Sequence, residues 1–165
     1  MLALVGALGT GKTLFVRGLA EALGVDPAQV ASPTFTIANL YETSTSAPAA
    51  GLVHVDLYRV ESEAALEAAG FVDLLDPGAV VAVEWAERFP SALPRDHLEL
   101  RLARGAEFPE DRAPASAASG AAASPALERR LCARAHGPLS RKRLEGWAER
   151  LGRVEGIDAV AASER

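Results

Sequence analysis

Eight residues near the start of the chain, Gly6-Ala7-Leu8-Gly9-Thr10-Gly11-Lys12-Thr13, constrain the fold more than any other feature. They match the phosphate-binding pattern G-x-x-x-x-G-K-[ST] at every fixed position, and that pattern belongs between a strand and a helix. Both flanks fit. Leu2-Ala3-Leu4-Val5 is an apolar run suited to a buried parallel strand, and Leu14, Phe15, Gly18, Leu19, Ala22 and Leu23 recur at helical spacing until Gly24 stops the helix. Glycines without a Cβ let such a loop aim successive N–H groups at phosphate oxygens. The expected ligand is a nucleoside triphosphate held by Gly6, Leu8, Gly9, Thr10, Gly11, Lys12, Thr13 and Leu14. Lys12 neutralises the β and γ phosphates, and the Thr13 hydroxyl is offered to Mg²⁺ at the positive end of the helix dipole.

The remaining sequence reads in two parts. Over residues 1–104 strand-like and helix-like segments alternate, which predicts an α/β domain with a mainly parallel sheet flanked by helices. Leu52-Val53-His54-Val55-Asp56 and Ala79-Val80-Val81-Ala82-Val83-Glu84 read as strands, Glu63 to Ala69 as a helix ended by Gly70, and Leu98, Leu100 and Leu102 as a half-exposed strand towards the sheet edge. Residues 105–126 have a linker composition, almost wholly Ala, Ser, Pro and Gly from 113 on. Residues 127–165 are expected to form a helical or partly disordered tail, with Leu127, Leu131, Leu144, Trp147 and Leu151 on apolar helix faces among many arginines.

A phosphate loop needs an acidic partner, because Mg²⁺ takes hard oxygen ligands. Asp56 and Glu84 each end an apolar run, so each should emerge at the carboxyl end of a parallel strand, where open α/β sheets bind ligands. One holds the metal while the other orients or activates water. Between the first helix and the second strand, Ser32-Pro33-Thr34-Phe35-Thr36 has the hydroxyls and the stiffened backbone of a loop that a γ-phosphate orders. A net charge of −5 argues against a surface that grips nucleic acid throughout. The single cysteine, Cys132, excludes an internal disulfide and a cysteine-based zinc site. No apolar run spans a bilayer and no secretory leader is visible, so a cytoplasmic location is expected.

In order, Gly6 to Thr13, Ser32 to Thr36, His54-Val55-Asp56-Leu57-Tyr58-Arg59 and Glu84-Trp85-Ala86-Glu87 closely resemble the bacterial TsaE family over residues 1–104. The resemblance implies an ATPase of tRNA threonylcarbamoyladenosine formation that docks on the TsaB and TsaD proteins and meets tRNA only through that complex. It implies catalytic roles for Lys12, Asp56 and Glu84, metal ligation by Thr13 and Glu84, and places for Thr34, Thr36 and Trp85 beside the nucleotide. Two alternatives stay open: a P-loop small-molecule kinase, and a nucleotide-gated binding module that needs no hydrolysis. The chain departs from the family pattern at Ala7, where an acidic residue is usual, and at its start, which lacks the family's segment ahead of the loop. A late-called start or a truncation is the expected cause of the second, with weaker ATP binding and stability as its consequence. The linker and the arginine-rich tail are read as additions to the family domain.

Overall fold

In the computed structural model, residues 1–33, 36–44, 49–75, 78–104 and 129–151 are described. In chain order they form β1 (Leu2–Val5), α1 (Lys12–Ala22), β2 (Ala38–Glu42), β3 (Gly51–Asp56), α2 (Glu63–Ala68), β4 (Ala79–Glu84), β5 (Leu98–Arg104), β6 (Arg129–Ala135) and α3 (Pro138–Leu151), with short 3₁₀ turns between some of them. The strands make one sheet in the order β2-β3-β4-β1-β5-β6. The four inner strands run parallel, and the two outer ones pair antiparallel with their neighbours.

Strand periodicity of two sorts the core into two layers. Leu2, Leu4, Leu52, Ala82, Leu98, Leu100 and Leu102 face one way and pack with Val16 and Ala20 of α1, with Leu144 and Trp147 of α3 at the margin. Ala3, Val53, Val55, Val81 and Val83 face the other way, against Leu66 of α2, Phe71 and Phe89. Helices on both faces explain why the central strands are apolar along most of their length rather than alternating. The α1 and α2 stretches end as expected, with Gly24 and Gly70 at φ 78° and 71°.

Two strands depart from the sequence reading. β2 (ANLYE) carries few apolar residues and lies at the edge of the sheet, so it lacks a buried strand's composition. β6 falls inside the stretch read as a helical tail, yet all seven of its residues pair with β5, from Leu98↔Ala135 to Arg104↔Arg129. Ala133 and Ala135 lean on the core while Arg134 points outward, a period of two that the arginines mask. The backbone edge of β5 beyond β1 supplies the partner that local propensity does not reveal. β5 is therefore one strand in from the edge. α3 is a helix as expected, and the Asp96 carboxylate caps it by accepting from the N–H groups of Leu139 and Ser140 at 2.8 Å each. The linker at residues 105–126 and the tail beyond residue 151 lie outside the described residues. Among those described, no helix is long and apolar enough to cross a membrane.

Candidate functional site

β1 ends at Val5 and the chain turns at once into the loop that opens α1. At Gly6, φ is 147°, and a Cβ there would lie 2.2 Å from the carbonyl oxygen of Leu102, so only glycine fits. Gly11, at φ 105°, occupies the N-cap position of α1 and has no side chain to satisfy the first helical N–H groups. Those donors face the loop, which is the arrangement that takes an anion.

Lys12 is almost completely buried. Its Nζ donates to the carbonyl oxygens of Gly6 (2.6 Å) and Ala7 (3.0 Å) and sits 3.9 Å from the centroid of the Trp85 ring. Burial pushes its pKa down from the usual lysine value, while the charges of Glu84, Glu87 and Asp56 pull it back up. Trp85 takes up this place because the chain turns sharply after β4. It is the one non-glycine residue with positive φ (59°) among the described residues, a strained conformation of the kind that collects at ligand sites. Its ring lies against Tyr58, with centroids 4.9 Å apart.

Asp56 and Glu84 are register partners at the ends of β3 and β4, and Glu84 also lies level with Leu4 of β1. Glu84 Oε1 accepts from Thr13 Oγ1 at 2.7 Å and lies 2.8 Å from His54 Nε2. Asp56 accepts from Ser32 Oγ (2.5 Å) and from the Tyr58 N–H (2.9 Å), so it ties the segment after α1 to the sheet. Lys12, Thr13, Ser32, Asp56, Tyr58 and Glu84 line one cleft of about 670 Å³, together with Leu8, Gly9, Gly11, Leu14, Thr36 and Trp85, and His54 lies buried behind it.

The predicted residues thus fall in different places. Lys12, Thr13, Asp56 and Glu84 converge. Leu8 and Leu14 line the cleft with strongly exposed side chains. Thr36 lies on its wall and donates to Asn39. Gly6 and Thr10 shape the loop from behind, Thr10 through a hydroxyl bond to the Ala7 carbonyl (2.9 Å). Thr34 lies outside the described residues. Sequence reasoning gave no role to His54 or Glu87. Glu87 Oε1 faces the Gly6 N–H at 3.4 Å. His54 was discoverable, because it precedes Asp56 by two on a strand and must share its face.

The donor set suits Mg²⁺. A hydroxyl and a carboxylate held 2.7 Å apart are hard oxygen ligands, beside a loop shaped for phosphates. Among the described residues no group of three or more His, Cys, Asp or Glu side chains gathers to hold an ion alone.

The chain is similar to known proteins in sequence and in fold. The family model described as "Threonylcarbamoyl adenosine biosynthesis protein TsaE" matches residues 1–112. Curated proteins named tRNA threonylcarbamoyladenosine biosynthesis protein TsaE are similar to the chain. The one from Aquifex aeolicus is 45% identical over 89 residues, covering 53% of this chain and 59% of that protein. The Bacillus subtilis protein is 37% identical over 107 residues, covering 65% and 63%. The Streptomyces coelicolor protein is 42% identical over 101 residues, covering 61% and 66%. The chain therefore spans about 59–66% of the length of these relatives. The crystal structure of Bacillus subtilis YdiB superposes with a TM-score of 0.53 at 28% identity, covering 92% of this chain and 76% of YdiB. That share exceeds residues 1–112, so the likeness to YdiB extends into the part read as an addition to the family domain. With the loop, the two strand-end acids and a family match over well more than half its length, the chain belongs to the TsaE family.

Proposed function

We propose that the chain is a Mg²⁺-dependent ATPase that docks on the TsaB–TsaD complex in the cytoplasm and supports threonylcarbamoyl transfer to adenosine 37 of tRNA. One observation carries the ATPase reading: Lys12, Thr13, Asp56 and Glu84, drawn from three elements, meet in a single cleft at the carboxyl ends of parallel strands. The pathway rests on the family and on the names of the relatives.

Bound Mg²⁺ supplies positive charge to the phosphate oxygens in this cleft. The chain's own residues do the remaining work. The loop amides bind the phosphates, and Lys12 exchanges the Gly6 and Ala7 carbonyls and the Trp85 ring for phosphate oxygens. Glu84 and the Thr13 hydroxyl, already in contact, are the protein ligands for the ion. Asp56 orients the attacking water, whose oxygen bonds the γ-phosphorus as the bond to the β–γ bridging oxygen breaks. ADP and phosphate leave, and the water's proton passes to the phosphate. Because Asp56 also holds Ser32, occupancy of the cleft is coupled to the segment after α1.

The test is Mg²⁺-dependent phosphate release from ATP, with and without TsaB and TsaD, using Lys12→Ala as the blank. Turnover that rises strongly only with both partners is expected. Equal release by wild type and Lys12→Ala would overturn the site. Phosphate transferred to a metabolite rather than to water would replace hydrolysis by a kinase reaction.

A further inference from the structure

His54 lies in the middle of β3, level with Asn39 on one side and Ala82 on the other, and has no exposed surface. Among the described residues, every other fully buried large side chain except Thr10 is apolar. The imidazole is poorly matched to this position as a packing element. Its Nδ1 is buried without a hydrogen-bond partner among the described residues, an arrangement that costs stability and that an apolar side chain would relieve. The other nitrogen explains why the ring is kept. Nε2 reaches Glu84 Oε1 at 2.8 Å, and since a carboxylate only accepts, Nε2 carries the proton.

The sheet geometry makes this contact. His54 and Glu84 lie on adjacent parallel strands, on the face covered by α1, two register positions apart. The in-register partner of His54 is the small Ala82, so the ring leans along the strand towards Glu84. Both hydrogen bonds that Glu84 accepts among the described residues fall on Oε1. They differ in kind. The Thr13 hydroxyl is itself a proposed metal ligand, since its oxygen can meet an ion while its proton stays on Glu84, whereas His54 can act on the ion only through the carboxylate.

We propose that His54 is the positioning residue of the cation site: its Nε2–H fixes the orientation of the Glu84 carboxylate, and so sets how strongly Mg²⁺ strengthens nucleotide binding. The inference rests on the ATP reading given above. His54 itself touches neither nucleotide nor ion. Hydrogen-bond partners behind a ligating carboxylate act in this way by fixing its orientation, and their removal typically lowers metal affinity about 10–100-fold.

The experiment measures binding of a fluorescent ATP analogue to the full chain in EDTA and along a Mg²⁺ titration, for wild type, His54→Leu and His54→Gln. Mn²⁺ binding to the nucleotide complex, followed by electron paramagnetic resonance, gives a readout independent of turnover. His54→Leu removes the donor and fills the space with an apolar group. It should fold, with a modestly lower Tm because the buried Glu84 carboxylate loses a donor, bind nucleotide in EDTA like wild type, and require about tenfold more Mg²⁺ or Mn²⁺. His54→Gln returns an N–H near the Nε2 position and should recover most of that loss. Unchanged cation dependence in His54→Leu overturns the inference while leaving the ATP reading intact. Equal losses with and without Mg²⁺ also overturn it, because they mark a merely structural residue. A wild-type chain that binds no nucleotide overturns the ATP reading and this inference together.

Discussion

The centre of the sheet and its β5–β6–α3 flank solve the same packing problem with different treatment of polar groups. In β1, β3 and β4 nearly every residue is apolar and buried, and the buried polar side chains there, His54 and Glu84, meet at the cleft. In the flank polar groups are spread along the whole length. β6 carries Arg129, Arg130 and Arg134, and α3 carries Arg141, Lys142, Arg143 and Arg150, with the apolar contribution of these two elements confined to Ala133, Ala135, Leu144 and Trp147. The centre holds its charges where desolvation makes them costly, and the flank holds its own where water screens them. Among the described residues the buried ionisable side chains, Lys12, His54 and Glu84, therefore mark the functional half, and their variants should separate activity from stability in a way that flank variants do not.

The sharpest way to break this comparison is Gly6→Ala. The new Cβ meets a backbone oxygen of β5 at 2.2 Å, and φ 147° is foreign to alanine, so neither partner can yield cheaply. A loss of about 4 kcal/mol, at the exceptional end for one substitution, is expected from urea unfolding, together with loss of nucleotide binding. Lys12→Ala comes next and separates the two properties. It should weaken ATP binding on the order of 100-fold, as removal of a buried charged partner does. Its Tm should stay close to wild type, because the variant no longer buries an ammonium whose pKa burial already depresses. Trp147→Ala reverses that pattern. The indole is only partly buried against the core margin, so about 2 kcal/mol is expected, below the usual cost of a fully buried Trp. ATP affinity should be unchanged, since α3 contributes nothing to the nucleotide cleft.

The same contrast governs what could be read in the sequence. β1, β3 and β4 were legible because strands buried on both faces leave continuous apolar runs, and each run ends in the residue that serves the site: the first loop glycine, Asp56 and Glu84. β6 was not, because an edge strand buries one face at most and its arginines at 129, 130 and 134 obscure the alternation. Its pairing with β5 also spans residues 105–128, beyond any local window. At the site, motif order reached the loop and both acids. It could not show that Lys12 is folded back onto the loop carbonyls and Trp85, or that His54 bonds Glu84, since these depend on rotamers and strand register.

The smallest expected effect is a pH response confined to the flank. His97 precedes β5, donates through Nδ1 to the Pro94 carbonyl at 2.7 Å, and stacks on His136 with centroids 4.3 Å apart. Burial lowers its pKa from 6.5; the Pro94 carbonyl opposes this, His136 and the chain's amino terminus add to it, and Glu99 opposes it. The folded flank therefore binds a proton less readily than the unfolded chain. Stability is fully present above pH 6.5 and falls as the pH drops from there to the lower folded value. Asp96 behaves differently. Burial alone would raise its pKa, but the Leu139 and Ser140 N–H groups, the Ser140 hydroxyl and the charge of Arg143 lower it below 3.8, so its contribution persists until far more acid conditions. As the pH falls below 6.5 His97 adds its response to that of the Met1 amino group, whose pKa burial also lowers. Amide exchange of β6 and the start of α3 should quicken over this interval while β3 and β4 stay protected. His97→Asn, which keeps a donor for Pro94, should flatten the dependence. Equal quickening across the whole sheet would mean that the flank and the centre open together, and that the polar groups of the flank are as tightly bound to the core as those of the cleft.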